Sequence, residues 1–220
     1  MRVERWFSFV DLSGFTSFGD QFGDDESVRV LTAFRAAVRQ VATDYGVRIA
    51  KWLGDGVMLV CVTTRPLLET ILELHYVVGE VAGPVASVSI RSGITSGEVI
   101  LMEGDDYVGH CVNVAARLCD QAVAGEALAA PAVLEHLPSW GVTVAEARVT
   151  LKGVEQPVPT SSIQMALGGS DASRDPICGL PLTNDTAEEI AHDVRGSVVL
   201  FCSPGCVDTW RRRPARTSSR

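Results

Sequence analysis

The chain has 220 residues, 46% of them apolar, and a formal net charge of −8. That is enough for one ordinary domain with a small appendage, and enough apolar material for a sizeable core. The acidic balance argues against a non-specific nucleic-acid or anionic-membrane binder. No run of about 18 apolar residues and no signal-type leader stands in the sequence. The expectation is a cytoplasmic protein without a membrane span, whose cysteines are thiols or metal ligands.

Arg5 to Asp11 reads as the first strand, and Leu12 to Thr16 as a glycine-containing turn into a helix. Free N–H groups at such a helix start can face phosphate oxygens. Asp24-Asp25-Glu26-Ser27 opens a further helix with acids at its positive end. Val28, Leu31, Phe34, Val38 and Val41 recur at helical spacing, which predicts a buried stripe with Arg29, Arg35 and Arg39 outward. Val47 to Leu53 and Val57 to Val62 are strand-like, joined through Gly54-Asp55-Gly56 as a tight hairpin. Leu67, Ile71, Leu74 and Val78 mark an amphipathic helix with Pro66 in its first turn, and His75 reads as a helix-face residue. Ala86 to Thr95 and Gly97 to Met102 read as two strands around Ser96-Gly97. A helix from about Val112 to Ala122, a short helix from Ala132 to Leu137, and strands Val142 to Leu151 and Pro157 to Met165 follow. This order predicts an α+β sandwich with helices on one sheet face.

Two strand-end aspartates, Asp11 and Asp55, are the chemistry-bearing feature. The hairpin alone could carry Asp55 for turn chemistry only. Paired with Asp11 on a neighbouring strand, it can hold a hard cation beside phosphates.

The segments F-V-D-L-S-G-F-T, K-W-L-G-D-G-V-M and G-H-C-V-N-V-A-A-R-L, in that order, resemble the catalytic domain of class III nucleotidyl cyclases over about Val3 to Met165. The resemblance implies a ferredoxin-like core and two Mg²⁺ or Mn²⁺ ions on Asp11 and Asp55. It also implies substrate contacts from Leu12, Ser13, Gly14, Phe15 and Thr16, and catalytic roles for Asn113 and Arg117 toward ribose and phosphates. Lys51 and Asp106 match the purine-reading pair, in a combination that suits adenine, and Lys152 matches a lysine on the triphosphate. In the family these groups meet across two subunits, so a homodimer with two shared sites is implied. The expected reaction is conversion of ATP to cyclic AMP and pyrophosphate. The alternatives are a guanylate cyclase and a non-catalytic nucleotide- or metal-responsive dimer.

These readings divide the chain into a catalytic domain over residues 1–166, a Gly/Ser-rich linker over 167–174, a small module over 175–214 and a basic tail over 215–220. D-P-I-C-G-L-P-L and V-V-L-F-C-S-P-G-C-V-D-T-W resemble a YHS module, a cysteine domain of the metal-binding TRASH type. About 40 residues need a staple to fold. Cys178, Cys202 and Cys206 are the candidate ligands for Zn²⁺ or another soft metal, with His192 the nearest fourth. Three cysteines cannot close a disulfide framework. Cys61, Cys111 and Cys119 read as small core residues.

Overall fold

A computed structural model describes residues 1–81, 88–103, 106–138, 141–154, 156–165, 189–192, 198–201 and 203–212. The chain divides into two compact units, Met1–Met165 and Ala166–Arg220.

The first unit opens with strand β1 (Arg2–Ser13), followed by helices α1 (Phe15–Phe22) and α2 (Asp24–Asp44). Strands β2 (Arg48–Leu53) and β3 (Gly56–Cys61) form the hairpin, and α3 (Thr64–Val81) leads on to β4 (Ser89–Leu101). A short β5 (Tyr107–Val108), α4 (His110–Gln121), β6 (Ala127–Ala129), α5 (Pro131–Leu134), β7 (Gly141–Val149) and β8 (Val158–Met165) complete it. The sheet runs β2-β3-β1-β4-β6-β8-β7, with β5 paired to β4. Its first four strands are antiparallel in the order β2-β3-β1-β4, with α2 between β1 and β2 and α3 between β3 and β4. This is the split βαβ arrangement of a ferredoxin-like core.

The helices do not all share one face. Consecutive strand residues point to opposite sides. On β4, Ser92 meets His75 of α3, while Gly93 faces Cys119, Ala115 and Leu118 of α4. So α3, with α2 packed beside it, covers one face and α4 the other. On the α4 side, Phe7, Met58, Val60, Val99, Tyr107, Cys111 and Ala115 form one buried cluster, with Phe7 and Tyr107 edge to face at 5.3 Å. On the α3 side, Leu67, Leu68, Ile71, Leu72 and Leu74 are fully buried.

Ser96-Gly97 is not a turn, because β4 is continuous through it. A Cβ at Gly97 would lie 3.0 Å from the Cys111 Cβ, and one at Gly93 would lie 2.2 Å from Cys119 N and 2.4 Å from Ala115 O. Both glycines are there so that α4 can lie directly on the strand. Gly93→Ala is therefore expected to cost about 3 kcal/mol or more, since backbone atoms would have to move. Gly97→Ala, opposed by one side chain, should cost clearly less. Urea unfolding midpoints of the two variants check the order.

Two further expectations on α2 change. Val28 is 61% exposed rather than part of the buried stripe, and Arg35 is half-buried rather than outward.

In the second unit, β9 (Glu189–His192) pairs antiparallel with β10 (Val198–Phe201), and α6 (Pro204–Arg212) follows. Ser203 caps α6, its Oγ accepting from Cys206 N at 3.4 Å with Pro204 at the first helical position. Phe201 and Val207 are buried. Cys178, Cys202, the linker and the basic tail lie outside the described residues.

Candidate active site

Asp11 is a half-buried residue near the end of β1, between buried Val10 and Leu12. Its register partners are Gly56 on β3 and Arg91 on β4. Gly56 has a specific reason to be glycine: a Cβ there would lie 3.1 Å from Asp11 Oδ1 and 3.1 Å from Val10 O. Space at that oxygen is thus kept by the absence of a side chain. Asp55 lies next door in a two-residue turn, between paired Leu53 and Gly56, with Gly54 at φ +68°. Burial raises the Asp55 carboxyl above its ordinary range, and the charge of Asp11 raises it further. A carboxyl whose charged form is disfavoured by burial and by a neighbouring negative charge suits a cation beside it.

Sequence reasoning missed the residue that orients Asp11. Arg91 donates to Asp11 Oδ2 from Nε at 3.1 Å and from Nη2 at 2.8 Å, and from Nη1 to the Asp120 carbonyl of α4 at 3.1 Å. Oδ2 is occupied in this way, and Oδ1, over Gly56, is the oxygen left to bind outward. The signal was an arginine between Ile90 and Ser92, both buried, because a charge inside such a strand needs a partner. Cys119 is close by, its Sγ donating to the Arg91 carbonyl at 3.5 Å. Burial and the Asp11 charge push its thiol up to about 12. The carboxylate oxygens of Asp11 and Asp55 are donors of the kind that fit Mg²⁺ or Mn²⁺ completed by phosphate oxygens and water. No group of three or more His, Cys, Asp or Glu side chains gathers among the described residues.

Lys51 and Asp106, 55 residues apart, meet: Nζ lies 3.2 Å from each Asp106 oxygen. The Lys51 hydrogen bond, and then the Tyr107 N–H, hold the Asp106 carboxyl below its usual range. Asn113 and Arg117 are exposed on α4, whose opposite side (Cys111, Val114, Ala115, Leu118, Cys119) is buried on the sheet. One protomer thus turns these two residues outward. Arg117 is held by Asp120, Nη1 to Oδ2 at 3.2 Å.

Leu12 is 3% exposed, so its side chain belongs to the core and only its main chain can face a ligand. Gly14 caps α1 at φ +83° without any side-chain hydrogen bond to the helix start, next to exposed Thr16. Lys152 is exposed in the turn after buried Leu151, and among the described residues no hydrogen bond or ion pair ties it to the other candidates.

His75 is packed against β4, its Nε2 2.9 Å from Ser92 Oγ. Burial lowers its pKa from 6.5 to about 4, a backbone hydrogen bond at Gly125 opposing the shift. The folded state therefore refuses a proton that the unfolded chain takes up below about pH 6.5. Stability from this group is present above pH 6.5 and lost as pH falls toward 4, by at most about 3 kcal/mol. His75→Gln should flatten that part of the stability–pH curve in thermal melts.

The family model described as the adenylate and guanylate cyclase catalytic domain matches residues 7–164. An uncharacterized protein of Mycobacterium tuberculosis is 36% identical over 150 residues, covering 68% of this chain and 38% of the relative. A pH-sensitive adenylate cyclase of the same organism is 35% identical over 130 residues, covering 59% of this chain and 32% of the relative. The chain thus spans about a third of these relatives' length. Among solved structures, an adenylyl cyclase from P. aeruginosa matches with TM-score 0.63 at 22% identity, covering 74% of this chain and 94% of that one. A guanylyl cyclase matches with TM-score 0.64 at 23% identity, covering 77% and 96%. At such identities the two structures speak for the fold alone. With a family match spanning the sheet, α4 and both aspartates, the chain belongs to the adenylate and guanylate cyclase catalytic domain family.

Proposed function

We propose that the chain is an adenylate cyclase, converting ATP to cyclic AMP and pyrophosphate in a homodimer with two shared sites. The observation that carries the choice of base is the Lys51–Asp106 pair, a donor and an acceptor side by side. Lysine can donate to adenine N1 while the acid accepts from the N6 amine. Guanine presents the reverse at both edges and would leave polar groups unpaired.

Asp11 and Asp55 would hold Mg²⁺ or Mn²⁺, which when bound stabilises charge on the attacking and leaving oxygens. Arg91 fixes the Asp11 carboxylate by one oxygen and so aims the other. The main-chain N–H groups at the start of α1 face triphosphate oxygens, and Lys152 joins them. Asn113 orients the ribose, and the Arg117 fork stabilises the developing phosphate charge. α4 turns Asn113 and Arg117 away from its own sheet, so they act on the nucleotide held by the other subunit. For the second unit, the proposal is a soft-metal staple of Cys178, Cys202 and Cys206. Elemental analysis finding no metal in reduced protein whose second unit is folded would overturn it.

The test of the main reading is purified protein with ATP or GTP and Mn²⁺, scored for cyclic product. Cyclic AMP should form, with kcat/KM for GTP lower by at least about 100-fold. Equal or preferred use of GTP removes the adenine assignment, and no cyclic product from either removes the enzyme reading.

A further inference from the structure

The hairpin that carries Lys51 and Asp55 lies where a sheet is weakest. Among the described residues β2 is an edge strand with one hydrogen-bonded neighbour, and its register slips between Ile49 and Lys51. Asp55 must also stay near Asp11 although like charges repel. Something outside the sheet has to hold this turn.

α2 supplies it. Arg35 and Arg39, one helical turn apart, both lie over the Trp52 ring, with guanidinium carbons 5.2 and 5.3 Å from its centroid. Phe34 meets the same ring edge to face at 6.4 Å. Arg35 reaches further: its Nη2 donates to the Gly54 carbonyl at 2.9 Å. That carbonyl belongs to the peptide unit whose nitrogen is Asp55 N, so the bond fixes the plane from which the Asp55 side chain departs. The guanidinium makes this contact while its Nε stays buried with no hydrogen-bond partner among the described residues, an arrangement that costs free energy and is set by the ring on one side and the carbonyl on the other.

We propose that Arg35 is a positioning residue for Asp55: the Trp52 stack locks its guanidinium against the Gly54 carbonyl, and this pre-organises the metal carboxylates. The proposal rests on the two-metal reading above. In that reading Arg35 is a ligand of neither nucleotide nor metal and acts through the turn. Outer groups that orient a ligand are typically worth 10–100-fold in metal affinity.

The experiment is Mn²⁺ binding to the 220-residue chain, read from loss of the free-ion EPR signal, with thermal melts alongside. Arg35→Met, which keeps an unbranched chain over Trp52 and loses the hydrogen bond, should weaken Mn²⁺ binding about tenfold. ATP affinity should be unchanged, and activity should return at saturating Mn²⁺, a pattern that general loss of structure does not give. Arg35→Lys, retaining a cation but not the planar fork, should fold readily and fall in between. Arg39→Met, which leaves the Gly54 bond intact, should change binding less than twofold. Wild-type Mn²⁺ affinity in folded Arg35→Met, or in Arg35→Lys if the first variant does not fold, overturns the positioning role alone. If wild-type protein binds no Mn²⁺, or Asp55→Asn binds it equally well, the two-metal reading falls and this proposal with it.

Discussion

Replacing Asp55 by alanine is expected to lower turnover by on the order of 10³-fold or more, the scale lost when a main electrostatic contributor to a transition state is removed. The melting temperature should not fall with it. The folded state raises the Asp55 pKa above 3.8, so its ionised form is disfavoured by folding. Stability from this group is lost as pH rises through that range, and Asp55→Asn should melt at an equal or higher temperature at neutral pH. Asp11→Ala should be as inactive but less stable, because it strands Arg91 with a 28% exposed side chain and no carboxylate. About 1–2 kcal/mol of loss is expected there, and Asp11→Asn should recover part of it by accepting one Arg91 N–H. Near-normal turnover in either aspartate variant would falsify the metal assignment. A falling melting temperature in Asp55→Asn would show the turn depends on that charge.

Mixing two dead variants should restore activity. Arg117→Ala removes the outward-facing arginine and Asp55→Ala a metal carboxylate. If each site takes one from each subunit, the mixed dimer has one intact site. Random pairing puts half of the chains in mixed dimers, each with one working site of two, so about a quarter of wild-type activity is expected. Assay across mixing ratios, with dimer formation followed by light scattering, checks it. Two inactive dimers that exchange subunits and stay inactive would place all the groups in one chain.

Much of this was readable beforehand, in places for reasons a periodicity argument can name. The two-residue turn at Gly54-Asp55 follows from a glycine between β-branched runs, and the βαββαβ order fixes the core. Asp11 and Asp55 stand out because strand ends do not ordinarily collect acids. The pairing of Lys51 with Asp106 has no local signal across 55 residues and came only through family resemblance. Helical spacing puts Arg35 on the polar stripe, which predicts an outward side chain. Its long chain instead folds down onto Trp52, which spacing cannot show. The sequence reads as two strands around Ser96-Gly97, since nothing local says that a helix 14 residues on will need the missing Cβ of Gly97. For the same reason the side of the sheet taken by α4 was not legible: it is decided by which strand face has room.

The seat of α4 on β4 has a mechanical consequence. At Gly93 helix and strand backbones touch with no side chain between them, the Cys119 thiol bonds the Arg91 carbonyl, and Arg91 bonds the Asp120 carbonyl. Sliding α4 by even part of a turn would drive Cβ atoms into main chain, so helix and strand form one stiff lever. Arg91 at one end of it and Asn113 and Arg117 along its outer side move together or not at all. Any opening of the proposed site to admit nucleotide must then hinge elsewhere, and the start of α1, where Gly14 stands at φ +83° with no side-chain hydrogen bond to the helix, is the place left for it.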